Sequence, residues 1–185
     1  MSRAYYYLVA SLPLLDFHAK APITYEQFLE SCRSELSEQD FAMIKAASLD
    51  YDGEPVGRNA LFDNWLRFYR GLRNELAWFR AQEFNKDPYD HMRGDRHVES
   101  VIVDIIAEAS KSANPLVAER ALDRVKWQKL EELLQGHYFD LEVLIVYAIK
   151  LQILDKYRKI NSSEGPEKFT EYKILTTNKI EEILK

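Results

Sequence analysis

Residues Asn59 to Phe84 read NALFDNWLRFYRGLRNELAWFRAQEF, a stretch with one glycine and no proline. Its apolar side chains return at steps of three and four. Leu61, Trp65, Phe68, Leu72, Leu76 and Phe79 share one face of a helix. The spacing therefore predicts a single long helix. Arg67, Arg70, Arg73 and Arg80 form a basic side of it. Trp78 does not join the core face, but falls near Arg67, Gly71 and Asn74 on the otherwise polar side. Gly71 has no side chain there, so another backbone could approach closely.

Working outward, punctuation divides the rest of the chain into more helices. Upstream, a first helix is expected from about Arg3 to Leu12, stopped by Pro13. Thr24 and Gln27 have capping-box spacing at the start of a second. Ser37 caps a third that runs to about Ala47, and Asp50–Gly57 reads as a loop. Downstream, residues 85–97, NKDPYDHMRGDRH, are polar and broken by Pro88 and Gly94, which predicts an irregular loop. Val98–Lys111 reads as a short helix. Asn114 and Pro115 are a cap and a first-turn proline, opening a helix to about Gln135 that ends at Gly136. Asp140 caps the next, with Phe139 and Leu144 spaced for a hydrophobic staple. Ser162–Gly165 is expected to be a turn, and Pro166–Leu184 a final helix. No segment alternates at period two. The expectation is an all-α, bundle-like single domain over residues 1–185, with about seven or eight helices.

Leu141–Leu154 is apolar almost all round, as expected of a central helix covered on every side. Glu142, Lys150 and Gln152 interrupt it, and it is too short to span about 30 Å of hydrocarbon. The run Ala4–Leu15 has the outline of a secretory leader ahead of Ala19-Lys20-Ala21. Its three tyrosines, Pro13, Asp16 and His18 favour a buried N-terminal helix instead.

Composition narrows the function. Charged residues make up 30% of the 185 and the net charge is −5, with acids and bases interleaved. Such a chain repels phosphate backbones, which argues against nucleic acid as main partner. Cys32 is the only cysteine, so no intrachain disulfide can form, which suits a reducing compartment. The four histidines, His18, His91, His97 and His137, include no pair at metal-binding helical spacing. Asp87, Asp90, His91, Asp95 and His97 crowd one loop that could hold a divalent cation, but a solvated polar loop is the simpler reading. Arg93-Gly94-Asp95 spells an adhesion tripeptide, a match short enough to arise by chance. With scattered glycines and no recognisable nucleophile–base pair, no catalytic constellation emerges. No enzyme activity, cofactor or metal is expected.

What remains is binding. Trp127 lies off the stripe formed by Ala118, Leu122, Val125, Leu130 and Leu133, among Arg120, Arg124 and Glu131. Trp78 and Trp127 are thus either covered by a further helical layer, with arginine stems packed on them, or are partner-binding anchors. Tyr5, Tyr6 and Tyr7 point three ways on a helix, so at least one should meet a wet boundary or a partner. Arg67, Arg70, Trp78, Trp127, Tyr5, Tyr6 and Tyr7 are the candidate protein-binding residues.

Two stretches carry a resemblance. One is Tyr5-Tyr6-Tyr7-Leu8-Val9-Ala10-Ser11-Leu12-Pro13. The other runs from Ala113-Asn114-Pro115-Leu116 through Trp127 to His137-Tyr138-Phe139-Asp140 and on to Tyr157. With Arg73-Asn74-Glu75-Leu76, they resemble a bacterial family of unknown function encoded in V-type (archaeal-type) ATPase operons. The opening is also similar to the start of the V-type ATPase subunit called C in prokaryotes and d in eukaryotes. That subunit is an all-helical funnel of three similar lobes, seating the rotor shaft on the proteolipid ring. The present chain is shorter and has no internal repeat. The resemblance implies a reduced or alternative coupling subunit, non-catalytic and cytoplasmic. Its partners would be the rotor shaft and proteolipid ring, with association to the inner membrane through the complex alone. A free-standing helical adaptor or assembly factor is the alternative expectation.

Overall fold

Side-chain caps start most of the helices, and their geometry is explicit in a computed structural model that describes residues 5–49, 59–94, 100–110 and 114–160. Helix α1 is Tyr6–Ser11, and Leu12 leaves it in extended conformation. Thr24 opens α2, Tyr25–Glu35, with both halves of the capping box formed. Gln27 N donates to Thr24 Oγ1 at 3.1 Å, and Thr24 N donates to Gln27 Oε1 at 2.8 Å. Ser37 caps α3, Glu38–Ala46. Asn59 caps α4, Ala60–Glu83, accepting from Phe62 N at 2.9 Å. A single-turn 3-10 helix, Pro88–His91, follows, and then α5, Ser100–Ser110. Asn114 and Pro115 open α6, Pro115–Leu133, and Asp140 accepts from Val143 N to begin α7, Leu141–Ile160.

The fold is all-helical, with seven α-helices and no strand among the described residues. The expected loop at Asp50–Gly57 and the expected last helix, Pro166–Leu184, lie outside the described residues. No described helix is long and apolar enough to cross a membrane.

Helix α7 is the hub, packing against α2, α3, α4 and α6. Leu144, Ile145, Val146, Ala148, Ile149, Leu151, Ile153 and Leu154 are all buried, so each of its faces is covered. Its polar side chains within that core are used as ties. Gln152 Nε2 donates to Ala47 O at 2.7 Å, and Gln152 Oε1 accepts from Leu49 N at 3.2 Å, so one amide closes the end of α3. Asp155 Oδ2 accepts from Tyr25 N at 3.2 Å, at the start of α2. Tyr147 donates to the Pro13 carbonyl at 3.0 Å, which lays the segment after α1 against α7. Burial pushes the Tyr147 hydroxyl up to about 12.

Helix α4 is covered on two sides. Leu61, Trp65, Phe68 and Leu72 are buried as its pattern indicates, with Leu76 and Phe79 half-buried against the same core. Phe62, Asn74, Glu75 and Ala81 are buried as well. Besides α5, α6 and α7, the Pro88–His91 turn packs along α4 and adds to its cover.

Helix α6 departs from the expected stripe. Its buried side chains are Leu122, Asp123, Lys126, Trp127 and Leu130, while Ala118, Val125 and Leu133 are half-buried. The buried face is rotated towards charged residues because α7 supplies their partners. Lys126 Nζ donates to Asp123 Oδ1 at 2.8 Å, Tyr157 donates to Asp123 Oδ2 at 2.7 Å, and Lys156 also pairs with that carboxylate. Lys156 reaches Glu119 at 2.7 Å too. Burial alone would raise the Asp123 carboxyl. The Lys126 ammonium and the hydrogen bonds from Lys126, Lys156 and Tyr157 outweigh it and hold the group below its ordinary value.

Candidate docking surfaces

The seven candidate binding residues fall into three environments. Trp127 is buried, at 6% exposure, and is corrected from a partner anchor to a core residue. Phe17 meets its ring edge-on at 5.5 Å, and Lys150 Nζ sits over it at 4.6 Å. Its indole N–H donates to Glu131 Oε1 at 2.8 Å. Arg120 and Arg124 stack on Phe17, sealing the outer side. The segment after α1 is therefore the further layer covering this tryptophan. Burial lowers the Lys150 ammonium from its usual value, and Glu131 partly restores it.

Tyr5 is likewise corrected. It is buried, its hydroxyl donates to the Asp40 carboxylate, and its backbone N–H donates to the Phe139 carbonyl. It fixes α1 to α3 and to the turn before α7, so its ring is not offered to a partner. Tyr6 and Tyr7 do face outward, at 60% and 89% exposure. Tyr6 lies against Phe139, with ring centroids 4.9 Å apart. Tyr138 and Phe139 are exposed as well, so α1 and the turn before α7 together present aromatic surface on an anchored base.

The third environment is a cleft along α4, with a volume of about 300 Å³. Arg70, Arg73, Arg80, His91 and Arg93 line it, with Leu66, Tyr69, Leu76 and Ala77 forming its apolar wall. The turn that completes the cleft is fastened to α4 by Asn74, buried at 4% exposure. Asn74 Nδ2 donates to Arg93 O at 2.9 Å, and Asn74 Oδ1 accepts from Arg93 N at 3.0 Å. Trp78, half-buried, meets Tyr89 edge-on at 5.5 Å. The ring of Trp78 thus holds the turn in place. Arg67 is exposed but lies outside the cleft lining, bonded to Asn64 Oδ1 at 2.6 Å on its own helix. Arg93 and His91 are the additions that sequence reasoning missed as partners of the α4 arginines. Their signal is the turn-forming Asp87-Pro88 pair, whose Asp87 Oδ1 accepts from Tyr89 N at 2.9 Å and folds the chain back.

Cys32 is fully buried, and burial pushes its thiol up to about 12, far from a reactive thiolate. In the loop considered for a cation, Asp87 caps the turn and His91 faces the cleft, while Asp95 and His97 lie outside the described residues. The one group of metal-ligating side chains among the described residues is His137, Asp140 and Glu142, with ligand atoms within 4.8 Å of one another. Its atoms are largely engaged in starting helices. Asp140 Oδ2 is 2.7 Å from His137 Nδ1, Asp140 Oδ1 accepts from Val143 N at 3.3 Å, and Glu142 Oε1 accepts from Asn59 Nδ2 at 3.1 Å.

No curated protein and no solved structure matches the chain. One family model does, across residues 51–179, which includes α4 to α7 and the whole arginine cleft. With most of its length so matched, the chain belongs to the family described as protein of unknown function DUF2764.

Proposed function

We propose that this chain is a non-catalytic subunit or accessory protein of a V-type ATPase, coupling the central stalk to the membrane proteolipid ring. The observation that carries the reading is the anchored aromatic surface of Tyr6, Tyr7 and Phe139. Rigid aromatic side chains on a fixed base lose little entropy on docking and dominate interface energetics. A coupling part must also resist slipping, which favours packed aromatics and arginines over scattered surface ion pairs. Supporting it from the sequence is the resemblance of the Tyr5–Pro13 stretch and of the Ala113–Tyr157 stretch to the ATPase-operon family. Association with the membrane would be peripheral, through the complex.

The test is purification of the tagged chain from native membranes beside the double variant Tyr6→Ser/Tyr7→Ser. Both side chains are exposed, so folding should be unchanged. Loss of co-purifying ATPase subunits from a folded variant is the expected result. Full retention removes the aromatic surface from the account. A free-standing adaptor or assembly factor is the second reading, and it shares the same exposed aromatics; it differs in predicting transient or substoichiometric association.

A further inference from the structure

We infer that the α4 cleft is a docking site for an acidic helical segment of a partner protein. The inference does not require that partner to belong to an ATPase, since a free adaptor would use the cleft in the same way.

Charge is the first argument. The chain carries a net charge of −5, yet among the described residues no acidic side chain lines this cleft, and four arginines do. Among the described residues, Arg70 and Arg80 make no ion pair or hydrogen bond through their side chains. A local concentration of cation on an anionic protein selects an anionic partner and orients it on approach.

Geometry identifies the kind of anion. Arg70, Arg73 and Arg80 follow one face of α4 over ten residues, a row of about 15 Å. Carboxylates one turn apart on a second helix fall at matching intervals. Leu66 and Ala77 supply an apolar wall against which the partner's aliphatic stems can pack. The row is also held ready. Arg73 lies over the Tyr69 ring at 5.8 Å, and Asn74 fixes Arg93 by its backbone. A phosphate-bearing small molecule would find less. Residues 66–80 are interior to α4, so their backbone N–H groups belong to the helix, and the Arg93 N–H is already taken by Asn74 Oδ1.

The test uses the full chain and a fluorescent, helix-forming peptide of about twelve residues, with glutamates at positions i, i+3, i+7 and i+10. Anisotropy titration at low salt should give saturable binding that weakens as salt rises. The triple variant Arg70→Gln/Arg73→Gln/Arg80→Gln should bind at least about tenfold more weakly. Arg67→Gln, on the same helix but outside the cleft, should bind as the parent does. All four side chains are exposed, and circular dichroism of each variant confirms its fold. Should the triple variant misfold, the Arg→Lys triple replaces it; retaining charge but not the planar fork, it should weaken binding by about threefold. Equal loss in Arg67→Gln, or no loss in the cleft variants, overturns the proposal. So does displacement of the peptide by tripolyphosphate at lower concentration than by unlabelled peptide, which would make the cleft a phosphate site. Co-purification with the ATPase is a separate readout, so either idea can fail without the other.

Discussion

Asn74 grips the backbone of Arg93 with both ends of its amide, donating to the carbonyl at 2.9 Å and accepting from the N–H at 3.0 Å. A side chain in the middle of a long helix thereby takes the place of a strand partner for a turn nineteen residues on. Truncation leaves buried polar groups unpaired, at a cost of about 1–3 kcal/mol. Asn74→Ala should lower the urea midpoint accordingly and open the Lys86–Arg93 segment to proteolysis. An unchanged cleavage pattern would show that other contacts hold the turn.

Asp123 should be the most sensitive charged position. It is fully buried between Lys126, Lys156 and Tyr157, and removing one partner from such a network strands the others. Asp123→Ala should cost about 3–5 kcal/mol. The sign of the pH effect follows from its lowered carboxyl. Its stabilisation is fully present above the unfolded carboxylate value, about pH 4, and is lost as pH falls through the lower folded value. Stability of the parent and of Asp123→Asn, followed by urea melts from pH 7 into acid, should therefore converge below about pH 4. A constant gap across that range contradicts the assignment.

Lys150 should behave in the opposite sense. Burial lowers its ammonium, and only Glu131, itself largely exposed, counters it. The folded chain holds the proton less tightly than the unfolded chain does, so the parent gains stability as pH rises from the folded value towards about 10.4. Lys150→Met keeps the aliphatic cover on Trp127 and removes the buried charge. It should be about 1 kcal/mol more stable at neutral pH and lack the alkaline gain. Thermal melts at pH 7 and pH 10 check both halves. A less stable variant would mean that the ammonium over Trp127 contributes more than its desolvation costs.

Local chemistry was legible where it was local. Thr24 with Gln27, Ser37 and Asn114 each announced a helix start, because cap and first turn lie within a few residues. The all-round apolarity of Leu141–Leu154 marked a central helix for the same reason. The buried face of α6 was not legible. Nothing local marks Asp123 as buried, because its partners Lys156 and Tyr157 come from α7, more than thirty residues later. Trp127 looked stranded among arginines because its cover, Phe17, comes from a segment 110 residues earlier. Of the candidate site, the arginine row and the outward tyrosines could be read from α4 and from the opening stretch. The closure of the cleft by His91 and Arg93 depends on the Asn74 tie, which no spacing rule anticipates. Phe139 has the spacing of a staple to Leu144, yet its ring lies against Tyr6, a contact set by where the chain's opening segment lands.

The proposal that this helical body docks stably within a rotary ATPase has its sharpest check in subunit counting. The tagged chain would be purified from native membranes in mild detergent, and the captured subunits quantified by mass spectrometry against labelled standards. V-type ATPase subunits, including the stalk and the proteolipid ring, are expected in fixed, near-integer ratio to the chain. Recovery of the chain alone, or with ATPase subunits only in trace amounts, would contradict it.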